Sequence, residues 1–273
     1  MHWWLHGELR FFFFPRTFTE LLQHSRLKGD QRLVVLTTDK YAVRAWVAER
    51  VGERYLIPLI AVLNRAEDLK LESLPGAFIL KSTHGSGMNA IVRDKDEIGE
   101  EDLRRRVRDW LLTDYTTFAE EQHYGLITPR VVVEELLLDE RGEVPADYKL
   151  FVLNQKTAMV QVITDRFSGN TRNFFTRDWR ELDIEQSWPR GTVALARPTE
   201  LEEMLAVAEK LAAGFEFVRV DLYAHRGRVY FGEMTHTPNA GREVFRPKEF
   251  DLALGKVWRE GGEIPEKYLL RVE

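Results

Sequence analysis

Two acidic residues towards the end of the chain could hold a divalent cation. Asp221 lies in a run of apolar and β-branched residues and Glu233 ends the next such run, so segment 217–233 is predicted to form a hairpin. The hairpin brings the two carboxylates together, and strand alternation places Arg219 on the same face as Asp221. Two oxygen ligands of this kind suit Mg²⁺, which binds one or two carboxylates together with nucleotide phosphates. The pattern also fits edge-strand acids neutralised by Arg219 or Arg242, and both interpretations stay open here.

A loop that contains two glycines offers a second site for chemistry. Lys81 ends a predicted strand, and residues 82–89 include Gly85 and Gly87 before a second short strand at 90–92. Backbone N–H groups without a neighbouring Cβ can approach phosphate oxygens closely. The loop formally matches a dinucleotide-binding G-x-G-x-x-A, but that motif opens a helix, whereas here a strand follows. A Walker A motif and the protein-kinase triplets are missing. A plain glycine turn with a surface lysine remains the alternative.

A third candidate is the acidic pair Glu134-Glu135, where the chain leaves the apolar strand predicted at 130–134. At such a position, backbone groups can meet a purine edge while a carboxylate accepts from an amine or a ribose hydroxyl. An exposed strand end explains the pair equally well. The histidines are scattered without zinc-ligand spacing, and a G-x-S-x-G elbow for serine chemistry is missing.

The elements that must position these residues alternate between helices and hairpins. Periodicity predicts helices at 18–27, from a Thr38-Asp39 cap to 51, at 101–115 and at 200–213. It predicts strands at 34–36, 56–62, 78–81, 90–92, 130–134, 148–153, 158–163, 217–223 and 228–233. The order does not follow regular βαβ units, which favours the α+β class.

Composition narrows the class of protein further. The 273 residues are 44% hydrophobic and 30% charged, as in a globular protein with a buried core. The chain has no cysteine, which excludes disulfides, thiolate metal sites and a cysteine nucleophile. A formal net charge of −5 argues against nucleic-acid binding.

We expect neither a signal peptide nor a membrane helix in this sequence. The aromatic run 11–14 follows a charged and apolar start that is a poor signal peptide, and we expect this run to pack under the following helix. No window has the roughly 18 apolar residues of a membrane helix. The sequence therefore predicts a cytoplasmic protein.

Taken in order along nearly the whole chain, the motifs resemble the ATP-grasp superfamily, and specifically its TupA-like branch. The segments that carry the resemblance are PRTFTE (15–20), TDKYAVR (38–44), LKSTHGSG (80–87), DYK (147–149), VRVDLY (218–223) and FGEMT (231–235). The resemblance implies an ATP-grasp fold, with two α+β subdomains that grip ATP and a shortened N-terminal segment. On this basis we expect a lead-in segment at 1–75, a small flap-bearing subdomain at 76–133 and a large subdomain with the metal carboxylates at 134–273.

The resemblance also implies roles for individual residues. ATP contacts are expected from Lys40, Lys81, His84, Gly85, Ser86, Gly87, Glu134, Glu135, Leu136 and Asp147. Metal ligands are expected at Asp221, Glu233, Thr235 and Asn239, and catalytic contacts at Arg219, Lys149 and Arg166. Thr235 stands where many ATP-grasp enzymes have Asn, and Asn239 follows only later.

The activity implied is that of an ATP-dependent carboxylate–amine ligase that forms an amide through an acyl phosphate, in cell-surface polymer or secondary-metabolite assembly. The cofactors would be ATP and Mg²⁺, with Mn²⁺ as an alternative, and the substrates small-molecule or peptide carboxylates and amines. Two other functions remain open: phosphoryl transfer to a stable product, and nucleotide binding by a scaffold without turnover. The sequence leaves the substrates and the oligomeric state open.

Overall fold

The computed structural model describes residues 14–117, 121–140, 142–164 and 171–271. Its helices are α1 (Phe18–Lys28), α2 (Gln31–Thr38), α3 (Val43–Arg50), α4 (Glu100–Leu112), α5 (Leu201–Leu211) and α6 (Glu249–Glu260). Its strands are β1 (Leu59–Leu63), β2 (Phe78–Ser82), β3 (Asn89–Val92), β4 (Val131–Glu135), β5 (Asp147–Leu153), β6 (Lys156–Thr164), β7 (Thr171–Thr176), β8 (Glu181–Leu182), β9 (Glu185–Gln186), β10 (Phe217–His225), β11 (Arg228–Thr235) and β12 (Phe245–Arg246). These strands pair in antiparallel fashion, which confirms the α+β class.

The chain divides into two compact units. The inserted unit is Asp30–Pro145, and the composite unit combines Met1–Gly29 with Ala146–Glu273. These bounds differ from the divisions expected after residues 75 and 133 for the ATP-grasp subdomains, which stay a prediction. The reason is strand pairing, because β4 pairs with both β1 and β2 and so joins the residues on either side of position 75 in one sheet.

The inserted unit is a four-stranded sheet in the order β1-β4-β2-β3, covered by α4. Alternate residues of β2 and β4 point into its core, among them Phe78, Leu80 and Val131. Leu103 and Val107, one turn apart on α4, are fully buried against them. The opposite face of α4 carries charged residues, as the helical spacing predicted.

The composite unit is a six-stranded sheet in the order β11-β10-β5-β6-β7-β8, with a two-stranded ribbon of β9 and β12. Its aromatic core forms around Phe18 of α1, whose ring lies 5.2 Å from Phe217 and 5.7 Å from Trp258. Helix α1 begins at this point because Thr17 and Glu20 form a capping box. The helix predicted to begin at residue 18 is therefore confirmed.

Two expectations are wrong, one about an element and one about burial, and some elements were missed. Residues 34–36, predicted to be extended, lie in α2, because Asp30 accepts from two backbone N–H groups of its first turn and starts a helix there. Helix α6 and strand β7 were not predicted from the sequence. Phe14 is 76% exposed, contrary to the burial expected for the run 11–14, whose other members lie outside the described residues. Among the described helices, none is long and apolar enough to cross a bilayer.

Helix α6 packs closely on the N-terminal segment at Gly255. A Cβ at this position would lie 2.2 Å from the carbonyl oxygen of Arg16 and 2.8 Å from the backbone nitrogen of Phe18. Alanine normally stabilises a helix by about 1 kcal/mol relative to glycine. Here we expect Gly255→Ala to lower the free energy of unfolding by about 1–3 kcal/mol, because backbone atoms must move. Urea denaturation measures the change.

Gly76→Ala is the matched control, because nothing lies within 4 Å of a Cβ built there. A Gly255→Ala protein as stable as the Gly76→Ala protein would contradict this packing.

Candidate active site

Arg219 holds together the acidic residues of the β10–β11 hairpin. In the register of the two strands, Asp221 lies opposite Glu233 and Arg219 lies opposite Thr235. The Arg219 Nη2 atom is 2.8 Å from Asp221 Oδ2, 3.2 Å from Glu233 Oε1 and 3.0 Å from Thr235 Oγ1. One guanidinium nitrogen is therefore surrounded by three oxygen atoms. Arg219 and Asp221 lie on the same face of the hairpin, as the alternation of the sequence predicted. Glu233 approaches them from the neighbouring strand, also as predicted.

Lys149 extends this cluster onto the next strand. It lies opposite Asp221 in the pairing of β5 with β10, and its Nζ contacts the Oδ2 atom of Asp221. The same nitrogen is 2.8 Å from Asp147 Oδ2. Lys149, Asp147 and Asp221 are all buried. Buried carboxylates are tolerated only where cations and hydrogen bonds compensate for the lost water, which these side chains supply to one another.

Burial and pairing act in opposite directions on the protonation of the cluster. Burial raises the pKa of Asp221, and Arg219 and Lys149 offset only part of that rise. Burial alone would lower the pKa of Arg219, but the carboxylates of Asp221 and Glu233 outweigh it, and the pKa is raised. The guanidinium therefore stays charged throughout the range in which a protein is folded.

A second cluster forms around Glu134 in the inserted unit. Its Oε1 atom accepts from Arg44 at 2.8 Å and its Oε2 atom accepts from Lys81 at 2.8 Å. Arg44 also donates to the carbonyl oxygen of Ile57 at 2.9 Å. The carboxylate thus positions two cations that arise from α3 and β2. No role was predicted for Arg44, although it lies four residues after Lys40, which is about the spacing of one helical turn.

The glycine loop between β2 and β3 is anchored by Lys40. The Lys40 ammonium donates to the carbonyl oxygen of Gly85 at 2.9 Å. A Cβ at Gly85 would lie 2.2 Å from the Met88 side chain and 2.9 Å from Tyr115, so a side chain there would push both aside. Ser86 and Gly87 are exposed at the tip. The loop therefore presents backbone to solvent at its tip and is fixed at its base.

The amino-acid sequence matches the model of one known family. The sequence model of the family described as TupA-like ATPgrasp matches residues 20–259. The chain belongs to the TupA-like ATP-grasp family. The ATP-grasp fold expected from the motifs is thereby confirmed. The comparison with curated proteins found no match.

Solved structures of ATP-grasp enzymes resemble the chain at low sequence identity. D-alanine–D-alanine ligase from Bacillus anthracis, complexed with ATP, is 17% identical with a TM-score of 0.41, over 74% of this chain and 54% of that one. The corresponding ligase from Helicobacter pylori is 17% identical with a TM-score of 0.45, over 83% and 61%. The ATP-grasp ligase PsnB, complexed with a minimal precursor, is 14% identical with a TM-score of 0.42, over 80% and 59%. In each case the chain spans less than two thirds of the other protein's length.

The oxygen atoms around Arg219 fit the magnesium ion expected in this ATP-grasp protein. Asp221, Glu233 and Thr235 supply hard oxygen donors next to one another. Among the described residues, no group of three or more Asp, Glu or His side chains could hold a metal by itself. A magnesium ion would therefore depend on phosphate oxygens and water as well. Asn239 lies in the turn Pro238–Gly241, and no described hydrogen bond joins its side chain to the two carboxylates.

The other residues expected to contact ATP are placed as follows. Glu135 is exposed at the end of β4, and Leu136 is almost fully buried beside it. Asp147 belongs to the composite unit and faces Lys149, whereas Lys40, Lys81 and Glu134 belong to the inserted unit. Arg166 lies outside the described residues.

His84 is an internal side chain of the inserted unit and is only 3% exposed. Its Nε2 atom is 3.0 Å from the carbonyl oxygen of Trp110, so it carries the hydrogen, and Nδ1 accepts from the Ser82 hydroxyl at 3.0 Å. Burial lowers the pKa of His84, and the charge of Lys40 lowers it further, against the raising effect of hydrogen bonds to Trp110 and Thr113. The neutral ring thus stabilises the base of the glycine loop through these two hydrogen bonds.

The lowered pKa of His84 makes stability depend on pH. The unfolded chain takes up a proton near the ordinary pKa of 6.5 while the folded ring resists it, so this contribution to stability is complete above pH 6.5 and is lost as the pH falls below it. We expect the urea midpoint of His84→Gln to fall less than that of the parent protein between about pH 7.5 and about pH 5.5, because glutamine does not titrate. Parallel decreases in both proteins would show that His84 does not titrate in this way.

Proposed function

We propose that the protein is an ATP-dependent carboxylate–amine ligase, with Mg²⁺ as its metal and Mn²⁺ as a substitute. The observation that carries the proposal is the cluster of Arg219, Asp221 and Glu233, in which cation and oxygen donors are held together on one hairpin. A free carboxylate does not react with an amine, because oxide would have to leave. Transfer of a phosphoryl group from ATP, assisted by the metal's charge, would convert the carboxylate to an acyl phosphate, from which phosphate leaves as the amine attacks.

The protein's own residues then have positioning and electrostatic roles. Lys81 and Lys40 would bind phosphate oxygens, with Glu134 holding Lys81 in place and the loop tip at Ser86 and Gly87 covering the phosphates with backbone N–H groups. Arg219 would neutralise charge that develops on the transferred phosphoryl group. Arg219 and Lys149 keep Asp221 oriented. No protein nucleophile is required, so the chain needs neither a reactive cysteine nor an activated serine.

The substrates proposed are small-molecule or peptide carboxylates and amines, without nucleic acid. The resemblance to the TupA-like branch supports a role in assembling a cell-surface polymer or secondary metabolite. Dependence on ATP supports a cytoplasmic reaction. Product analysis separates this proposal from phosphoryl transfer and from nucleotide binding without turnover. An amide with ADP and phosphate supports ligation, a phosphorylated product supports a kinase, and bound but unconsumed ATP supports a scaffold.

Lys81→Met tests the nucleotide assignment. We expect the variant to bind Mg–ATP about tenfold or more weakly, because a charge-assisted contact to phosphate is lost. Arg44 still neutralises Glu134 in the variant, so the fold should persist. Isothermal titration calorimetry gives the Kd.

Lys70→Met is the control, because Lys70 is an exposed lysine of the same unit. Equal affinity for Mg–ATP in the two variants would remove Lys81 from the nucleotide site.

Glu233→Gln tests the metal assignment. The Glu233 side chain is 40% exposed, so its loss should leave the fold intact, whereas Asp221→Asn disturbs a buried ion cluster and is the second variant. We expect ADP release in the presence of pooled amino acids to fall about a hundredfold or more in Glu233→Gln, with an unchanged unfolding midpoint. Asp221→Asn should also abolish turnover.

Glu202→Gln, an exposed substitution on α5, is the control. Undiminished ADP release in either carboxylate variant would rule out the metal assignment.

A further inference from the structure

The sheet of the composite unit carries a row of polar residues beyond the hairpin. In the pairing of β10, β5 and β6, Asp221 lies opposite Lys149 and Lys149 lies opposite Gln161. Direct cross-strand partners point to the same face, so the Gln161 side chain shares the face of Lys149 and Asp221. On β7, Arg172 lies two residues before the partner of Gln161 and points to this face too. The face therefore extends from the metal carboxylates to an arginine three strands away.

The ribbon of β9 and β12 borders this row. Gln161 Nε2 donates to Gln186 Oε1 at 3.0 Å, and the pairing of Gln186 with Phe245 fixes the segment before β12 beside it. Within that segment, Glu243 accepts from the Ser187 hydroxyl at 3.4 Å. The Gln186 Nε2 atom is buried without a hydrogen-bond partner among the described residues. A buried donor and a buried carboxylate thus lie next to the polar row.

Arg172 and Glu243 are two opposite charges that do not pair. Glu243 is only 5% exposed, and its one described hydrogen bond is the long one from Ser187. Arg172 is half-buried with its guanidinium carbon 5.7 Å from the centre of the Trp188 ring. Neither side chain has an ion-pair partner within 4.0 Å among the described residues. A buried charge without an ion-pair partner is unfavourable in free energy, unless a bound group supplies the opposite charge.

The electrostatics of the two groups agree with their geometry. Burial raises the pKa of Glu243, and the nearby charges of Arg172 and Arg219 lower it in part. Burial lowers the pKa of Arg172, which Glu243 raises and Arg219 lowers further. The geometry that relates the two groups is the chain of contacts from Arg172 to Trp188 and from the neighbouring Ser187 to Glu243.

We propose that Arg172 and Glu243 bind the carboxylate and the ammonium group of an amino-acid substrate. The proposal rests on the ligase function proposed above and adds the class of substrate. A zwitterion satisfies one cation and one anion at the same time, whereas a simple phosphate or dicarboxylate would be repelled by Glu243. The Ser187 hydroxyl lies beside the ammonium position and the Trp188 ring beside the guanidinium. The polar row then leads from this zwitterion to Asp221.

Binding measurements test the proposal without requiring turnover. The protein loaded with Mg²⁺ and a non-hydrolysable ATP analogue is titrated with each standard amino acid, and the tightest binder is compared with its amide and with its N-acetyl derivative. We expect both derivatives to bind about tenfold or more weakly, because each loses one charged contact. In Arg172→Gln the amide should bind as well as the free amino acid, and in Glu243→Gln the N-acetyl derivative should do so.

Two control variants remove the same charges outside this face. Arg177→Gln removes an arginine that pairs with Glu209, and Glu185→Gln removes an acid that faces Arg246. Both variants should bind the free amino acid more tightly than its amide and its N-acetyl derivative, as the parent protein is expected to do. Binding of none of the amino acids, or a preference that survives in Arg172→Gln and Glu243→Gln, overturns the proposal.

The outcome is separable from that of the ligase proposal. ADP release stimulated by carboxylates and amines that lack an amino-acid head group would support the ligase while overturning this substrate class. Binding of an amino acid with the predicted preference, without any ADP release, would support the site while counting against the ligase.

Discussion

Like charges placed directly opposite on paired strands repel, and the β10–β11 hairpin places two carboxylates in this arrangement. The positive charge of Arg219 offsets this repulsion, because its guanidinium contacts both acids and the Thr235 hydroxyl from the same face. The hairpin, the buried lysine on β5 and the oxygen donors for a cation all depend on this one guanidinium. Lysine could not replace it, because a single ammonium cannot form the fork that joins Asp221 through two nitrogens while also contacting Glu233.

In the inserted unit the balance of charge is reversed. There one buried carboxylate, Glu134, holds two cations, and Lys40 adds a third positive charge at the base of the glycine loop. Its cluster has an excess of positive charge, whereas the cluster around Asp221 has more carboxylates than cations. Phosphate groups suit the first excess and a divalent metal ion suits the second. This difference in charge supports the magnesium nucleotide proposed above.

Features set by adjacent residues could be predicted from the sequence, and features set by distant contacts could not. Alternation places Arg219 beside Asp221, and a glycine loop after a strand lysine is a local pattern. The pairing of Glu134 with Arg44 joins positions ninety residues apart, and no local pattern specifies it. The site at Glu243 depends on β9 and β12, which are two residues long and carry no periodicity. Residues 34–36 form a helix despite their strand propensity, because an N-cap outweighs it.

The discontinuous composite unit has a consequence for biosynthesis. Phe18 packs against Phe217 and Trp258, so α1 leaves the ribosome long before the residues that will enclose it. The inserted unit contains its own sheet and apolar core and is complete in sequence well before then. During translation α1 therefore remains without these packing partners until Phe217 and Trp258 have been synthesised, and its apolar face stays uncovered by them until then.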